Sequence, residues 1–148
     1  MNWELKAFND LTNMELHDIF KLRTDIFVVE QNCPYPEIDG KDPHSLHLMG
    51  KINDEIVAYT RILPPSISFS EPSIGRVIVA KNQRGTGVGH ELLKQSIAIS
   101  LEKYQKSIKI GAQAHLENYY GQHGFKKVSD VYLEDDIPHI DMLLDINS

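Results

Sequence analysis

The run Gln83-Arg84-Gly85-Thr86-Gly87-Val88-Gly89, entered from the apolar stretch Val77-Ile78-Val79 and followed by the helix-like His90 to Lys103, decides how the chain is read. Three glycines at alternate positions leave backbone N–H groups uncovered and permit positive φ, so a phosphate can approach the main chain at a helix start. Arg84 adds a fixed positive charge with a forked set of donors. Val88, Leu92, Leu93, Ile97, Leu101 and Tyr104 recur at helical steps and give the following helix one apolar face. The strand, loop and helix together form a crossing that cradles a pyrophosphate.

Elements on either side of this crossing extend the pattern. Trp3 to Phe8 alternates apolar and polar residues as a first strand would. Thr12 and Glu15 have capping-box spacing, Leu11 can staple onto Leu16, and Leu16, Ile19, Phe20, Arg23, Ile26 and Phe27 then share one helical face. Pro34, Pro36, Gly40 and Pro43 among Glu37, Asp39 and Asp42 make residues 31–43 an acid-lined loop. Residues 45–52 and 56–63 read as two strands around the turn Asn53-Asp54-Glu55, and residues 74–80 as a strand covered on both faces. Beyond the glycine loop come a strand over 108–114, a short helix over 115–123 ending at Gly124, and a closing strand pair over 125–132 and 139–146. That order predicts one α/β domain over residues 1–148, a mixed, mostly antiparallel sheet flanked by helices.

Composition narrows the function classes. The chain has 148 residues, 41% of them hydrophobic, which suits one globular core. Its formal net charge of -6 argues against nucleic acid or an anionic membrane surface as partner. Cys33 is the single cysteine, so an intramolecular disulfide and a thiolate metal site are both ruled out. No apolar run approaches the roughly 20 residues needed to span a bilayer, and a cytoplasmic location is expected. Seven histidines are present, but none pairs at i, i+4 on a clear helix beside an acid, so no metal is expected.

Two common phosphate loops fail to fit. Gly89 is followed by His90-Glu91 and not by the Lys and Ser/Thr of a nucleoside-triphosphate loop. A dinucleotide fingerprint needs Gly-x-Gly-x-x-Gly near the start of a βαβ unit, whereas this loop reads Gly-x-Gly-x-Gly beyond mid-chain. Arg84-x-x-Gly87-x-Gly89 instead resembles motif A of the GNAT superfamily of acyltransferases, which binds the pyrophosphate of coenzyme A. Further on, Tyr119-Tyr120-Gly121-Gln122-His123-Gly124-Phe125 resembles that superfamily's Tyr-x-x-x-Gly-Phe segment. The segment from Leu22 to Gln31, Asp42-Pro43-His44, Gly75-Arg76-Val77, Ala112-Gln113-Ala114 and Ile137-Pro138-His139 are similar to the ElaA-type family within it. The resemblance spans almost the whole chain.

That resemblance implies the GNAT fold and an N-acetyltransferase using acetyl-CoA as cosubstrate. It puts the pyrophosphate on Arg84, Gly85, Thr86, Gly87, Val88 and Gly89. It also implies that the strand holding Ile78 and Val79 splays from the strand ending near Gln113 to admit the pantetheine arm. Tyr120 falls where the family's tyrosine faces the cofactor sulfur. A phenol with an ordinary pKa of about 10 is protonated at neutral pH and can protonate a leaving thiolate.

The acceptor that the resemblance implies is a primary amine on an unidentified small molecule, peptide or protein. Such an amine is mostly protonated at neutral pH and needs a base. Glu30 is the leading candidate, with His44, His47 and His139 as further pocket residues; pairing of Glu30 with an arginine is the alternative reading. Arg23, Arg61 and Arg76 stand among apolar neighbours, where an arginine pairs with a carboxylate of the chain or of a ligand. They give the acceptor site together with His44 and His139. Two other readings stay open: a non-catalytic acetyl-CoA sensor, and an acyltransferase like the acyl-homoserine-lactone synthases. A homodimer is also left open.

Overall fold

A computed structural model describes residues 1–147. The first half builds a four-stranded antiparallel sheet in the order β1-β2-β3-β4, with β1 at Asn2–Ala7, β2 at Leu46–Ile52, β3 at Glu55–Leu63 and β4 at Ser73–Val79. Strand β3 sits inside this sheet and is buried at every position but its first, as its apolar run requires. From Ala58 onward its side chains alternate between two cores. Ala58 and Ile62 enter one core with Leu92 and Leu93, while Tyr59 enters a second core with Ile19, Met49 and Ile78.

Helix α1, Asn13–Arg23, covers the second core. It starts with the expected capping box: the Glu15 amide donates to Thr12 Oγ1 at 3.0 Å, and the Thr12 amide donates to Glu15 Oε1 at 2.9 Å. From Thr24 to Glu30 the helix widens into a π-helical turn, with the Gln31 amide reaching back to the Ile26 carbonyl at 3.2 Å. Regular helical spacing does not foretell such a turn. It carries Ile26, Phe27, Val28 and Glu30 onto the wall of a cavity.

The second half forms another antiparallel sheet. Strand β5, Ile108–Gln113, pairs with β8, Ile137–Leu144, whose other edge takes the short strands β6, Lys126–Lys127, and β7, Tyr132–Glu134. The strand expected over 125–132 is thus broken into two pieces. A two-residue turn joins β7 to β8, with Asp135 and Asp136 both at positive φ. Helix α2, Val88–Tyr104, packs on the first core; α3, Glu117–Gly121, follows β5.

The two sheets meet at β4 and β5. At the start of both strands the Lys109 amide donates to the Pro72 carbonyl at 3.0 Å, but no strand ladder joins them among the described residues. A bulge lies at the bend. Arg61 pairs with Gly75 and Tyr59 with Ile78, so Arg76 and Val77 together oppose Thr60, and Arg76 takes a φ of 52°. Strand β4 is therefore covered on its faces, as read from the sequence, yet open along one edge.

Candidate active site

A cavity of about 450 Å³ occupies the gap between β4 and β5. Residues 74–79 line one wall and residues 110–113 the other; Tyr120, the π-turn and the β7–β8 hairpin complete the lining. Ile78, Val79 and Gln113 are all wall residues, and the Gln113 side-chain amide donates to Gln31 Oε1 at 3.2 Å.

At one end of β4 the glycine loop turns into α2. Gly85 and Gly87 have φ of 80° and 85°, and a Cβ built on either meets nothing within 4 Å, so the glycines serve backbone conformation and access. The amides of Gly85, Thr86, Gly87, Val88 and Gly89 find no acceptor among the described residues. Gly87 is the residue before the first turn of α2, and the helix's unpaired N–H groups add their positive potential there. Thr86 turns its hydroxyl back to the Gln83 carbonyl at 2.6 Å, which tightens the loop. Free amides at a helix start are a donor set of the kind that binds anions.

Arg84 does not extend into open space. Its Nη1 and Nη2 each donate to the Glu30 carboxylate at 3.1 Å, and its Nε donates to the Val79 carbonyl at 3.1 Å. Lys81 Nζ stands 3.4 Å from the same carboxylate. The hydrogen bond from Arg84 holds the Glu30 carboxyl below the usual carboxylate range. Glu30 thus lines the cavity, but as an ionised partner of the loop arginine.

Tyr120 is 7% exposed, packs edge-on against Tyr119 and Phe125, and reaches the cavity with a hydroxyl that has no hydrogen-bond partner in the chain. Burial pushes its phenol above the ordinary tyrosine range, so the hydroxyl stays protonated and available to donate. Its neighbour Tyr119 differs. That hydroxyl donates to the Gly89 carbonyl at 2.7 Å and ties α3 to the start of α2.

The arginines read from the sequence form one buried network. Arg23, with no exposed surface, donates from Nη1 to Asp42 at 2.6 Å and from Nε to Glu37 at 2.8 Å. Arg61 donates to both oxygens of Asp39 at 2.8 Å and to Asp42 at 3.2 Å, and Arg76 donates to Glu37 at 2.6 Å. Only Arg76 and Glu37 of this network also line the cavity. Arg23 and Arg61 lie away from it, because the proline-rich loop folds its own acids over them. His44 is exposed and outside the cavity; His47 is fully buried between the Tyr59 hydroxyl at 2.6 Å and the Asp42 carbonyl at 3.0 Å. His139 does line the cavity.

Several wall residues escaped the sequence reading. Phe27, Cys33 and Tyr35 come from the π-turn and the loop, while Glu37 and Glu134 lie in the two acidic segments, 37–42 and 134–136, that the sequence offers as a hint of a cationic acceptor. Cys33 Sγ donates to the Asp135 carbonyl at 3.5 Å, and the Tyr35 hydroxyl donates to Asp136, so the loop is fastened to the β7–β8 hairpin. The acids around the prolines were the available signal, but their orientation depends on contacts about a hundred residues apart in sequence.

Comparison with known proteins agrees with this geometry. The family model described as an acetyltransferase (GNAT) domain matches residues 22–146. The chain is 41% identical to Protein ElaA of Escherichia coli, over 99% of this chain and 97% of ElaA. The chain belongs to the GNAT family, as an ElaA-type member. The crystal structure of Escherichia coli ElaA aligns with a TM-score of 0.90 at 41% identity, covering 96% of this chain and 97% of that one. An acyl-CoA N-acyltransferase from Pseudomonas aeruginosa aligns at 0.91 and 43%, with the same coverage. The CoA-dependent acyl-homoserine lactone synthase BjaI, at 0.79 but 17% identity over 96% of this chain and 82% of its own, shares the fold alone. GNAT membership carries the reaction class, acyl transfer from coenzyme A. Among the described residues no helix is long and apolar enough to cross a membrane.

Proposed function

We propose that this ElaA-type GNAT protein moves an acetyl group from acetyl-CoA to the primary amine of a small molecule, peptide or protein. The observation that carries this reading is the Tyr120 hydroxyl, protonated, unpartnered and set in the gap between β4 and β5. Acetyl-CoA, when bound, supplies an acyl group activated as a thioester.

Each need of the reaction has a candidate in the chain. The free amides from Gly85 to Gly89 would hold the linked phosphates, with Arg84 shared between them and Glu30. The narrow gap lined by Ile78, Val79 and Gln113 would take the pantetheine arm and keep water from the thioester. The open edge of β4 would offer main-chain N–H groups to the carbonyl oxygen as charge develops there. Tyr120 would donate its proton to the departing sulfur. Arg76 and Glu37, which also line the cavity, would meet the acceptor.

A thiol-release assay with acetyl-CoA against a broad amine panel tests the reading. Release of free thiol with a subset of amines is the expected outcome. Tight acetyl-CoA binding with no release by any amine would overturn it in favour of a sensor.

A further inference from the structure

We propose that Nε2 of His139 is the general base that takes the proton from the attacking acceptor nitrogen. This assignment rests on the acetyltransferase reading and deepens it. His139 lies on β8 opposite Gln113 in the β5–β8 ladder, so its backbone belongs to a rigid wall of the cavity and not to a loop. The residue is 9% exposed.

Its two ring nitrogens have different surroundings. Nδ1 lies 2.7 Å from the Ile137 carbonyl, which can only accept, so Nδ1 carries the hydrogen of the neutral ring. Nε2 is therefore the atom with the free lone pair. It makes no hydrogen bond within the chain, and the Glu134 carboxylate stands 3.6 Å from it. The ring's plane is held by stacking on Tyr132 at 6.1 Å, and Tyr132 is itself fixed by a 2.6 Å hydrogen bond to Asp141.

Two of the cavity's acids are engaged by arginines. Glu30 is clamped by Arg84 and Lys81, which favours its ionised form and makes it a poor proton acceptor. One oxygen of Glu37 sits between Arg23 and Arg76 at 2.8 and 2.6 Å. His115 is exposed, with no partner to fix its tautomer. His139 alone among these combines burial, a fixed tautomer and a free acceptor atom.

The protons then balance. An acceptor arriving as an ammonium first gives one proton to solvent. As the new N–C bond forms and the thioester C–S bond breaks, Nε2 takes the second proton from nitrogen and the Tyr120 hydroxyl gives its proton to the departing sulfur. The imidazolium returns its proton through water to the tyrosinate, leaving an amide and a free thiol with both residues restored.

The test uses His139→Asn, whose side-chain amide keeps a donor for the Ile137 carbonyl while removing the base. The expected result is about a 100-fold loss of kcat with any amine that the wild-type chain acetylates. The melting temperature should hold and the acetyl-CoA dissociation constant should stay within about twofold, and His139→Gln checks the loss should the first variant unfold. Nitrogen NMR of the ring in the ligand-free chain supplies an independent arm: the neutral ring should carry its hydrogen on Nδ1. Wild-type turnover in His139→Asn, or hydrogen on Nε2, would overturn the base assignment and leave the acetyltransferase reading standing. No thiol release from the wild-type chain with any amine would overturn both.

Discussion

The arginine network beneath the loop and the cavity beside β4 share Arg76 and Glu37, yet their polar groups are treated in opposite ways. In the network, Arg23, Arg61 and Arg76 meet Glu37, Asp39 and Asp42, leaving only Asp42 Oδ2 and Arg61 Nε buried without a partner. In the cavity, the Tyr120 hydroxyl and the amides of the glycine loop make no hydrogen bond within the chain, and His139 Nε2 has only the Glu134 carboxylate, 3.6 Å away. Buried charges that are paired define a structure, because removing one strands the other in low dielectric. Polar atoms left unpaired at the edge of a gap can bind and react.

Four experiments would break or sharpen this contrast. Arg23→Ala should have the largest effect. It leaves Asp42 and Glu37 without their central partner, and chemical denaturation should show a loss of about 3–5 kcal/mol. A mild loss would mean that the network is not structural.

Tyr120→Phe comes next and should do the opposite. No protein hydrogen bond is lost, so stability and acetyl-CoA affinity should hold while kcat falls about 100-fold, some 2.7 kcal/mol of barrier. Calorimetry alongside the thiol assay separates the two quantities.

Gly87→Val places a β-branched side chain at a φ of 85°, where strain costs about 1–3 kcal/mol, although the surrounding space is open. The loop should relax away from its present shape, and acetyl-CoA affinity should fall about tenfold, or ~1.4 kcal/mol. Equal affinity in titration calorimetry would remove the loop from the binding site.

The smallest effect belongs to Glu15 in the capping box. Burial raises its pKa, but hydrogen bonds from Lys51, the Thr12 amide and Lys6 more than offset this and lower it from 4.5 to about 2. A folded pKa below the unfolded one means stability that is present above about 4.5 and lost as pH falls through about 2. Glu15→Gln keeps the capping box but removes the ion pairs with Lys6 and Lys51, and should therefore cost about 1 kcal/mol at neutral pH and almost nothing at the acid end of that window. Melts across the range check it.

Much of the fold was legible because its signals are local. The capping box of α1, the apolar run of β3 and the glycines at positive φ each state a short-range preference that the tertiary structure left in force. The misreadings are equally specific. The π-turn at Thr24–Glu30 uses residues of ordinary helical spacing, and the single strand expected over 125–132 is divided into β6 and β7. Arg23, Arg61 and His44 were read as acceptor residues from their neighbours in sequence. Arg23 and Arg61 went to an internal network because Glu37, Asp39 and Asp42 fold back over them.

By itself the sequence determined the glycine loop, the helix that follows it and the tyrosine segment, because main-chain freedom and helix capping are settled within a few residues. The tertiary structure alone decided which polar atoms stay unpaired. The bulge at Arg76 opens β4 from β5, the π-turn brings Glu30 to Arg84, and the β7–β8 hairpin sets Glu134 beside His139. Those pairings join residues tens of positions apart or hang on one strand's register, and no local preference encodes them.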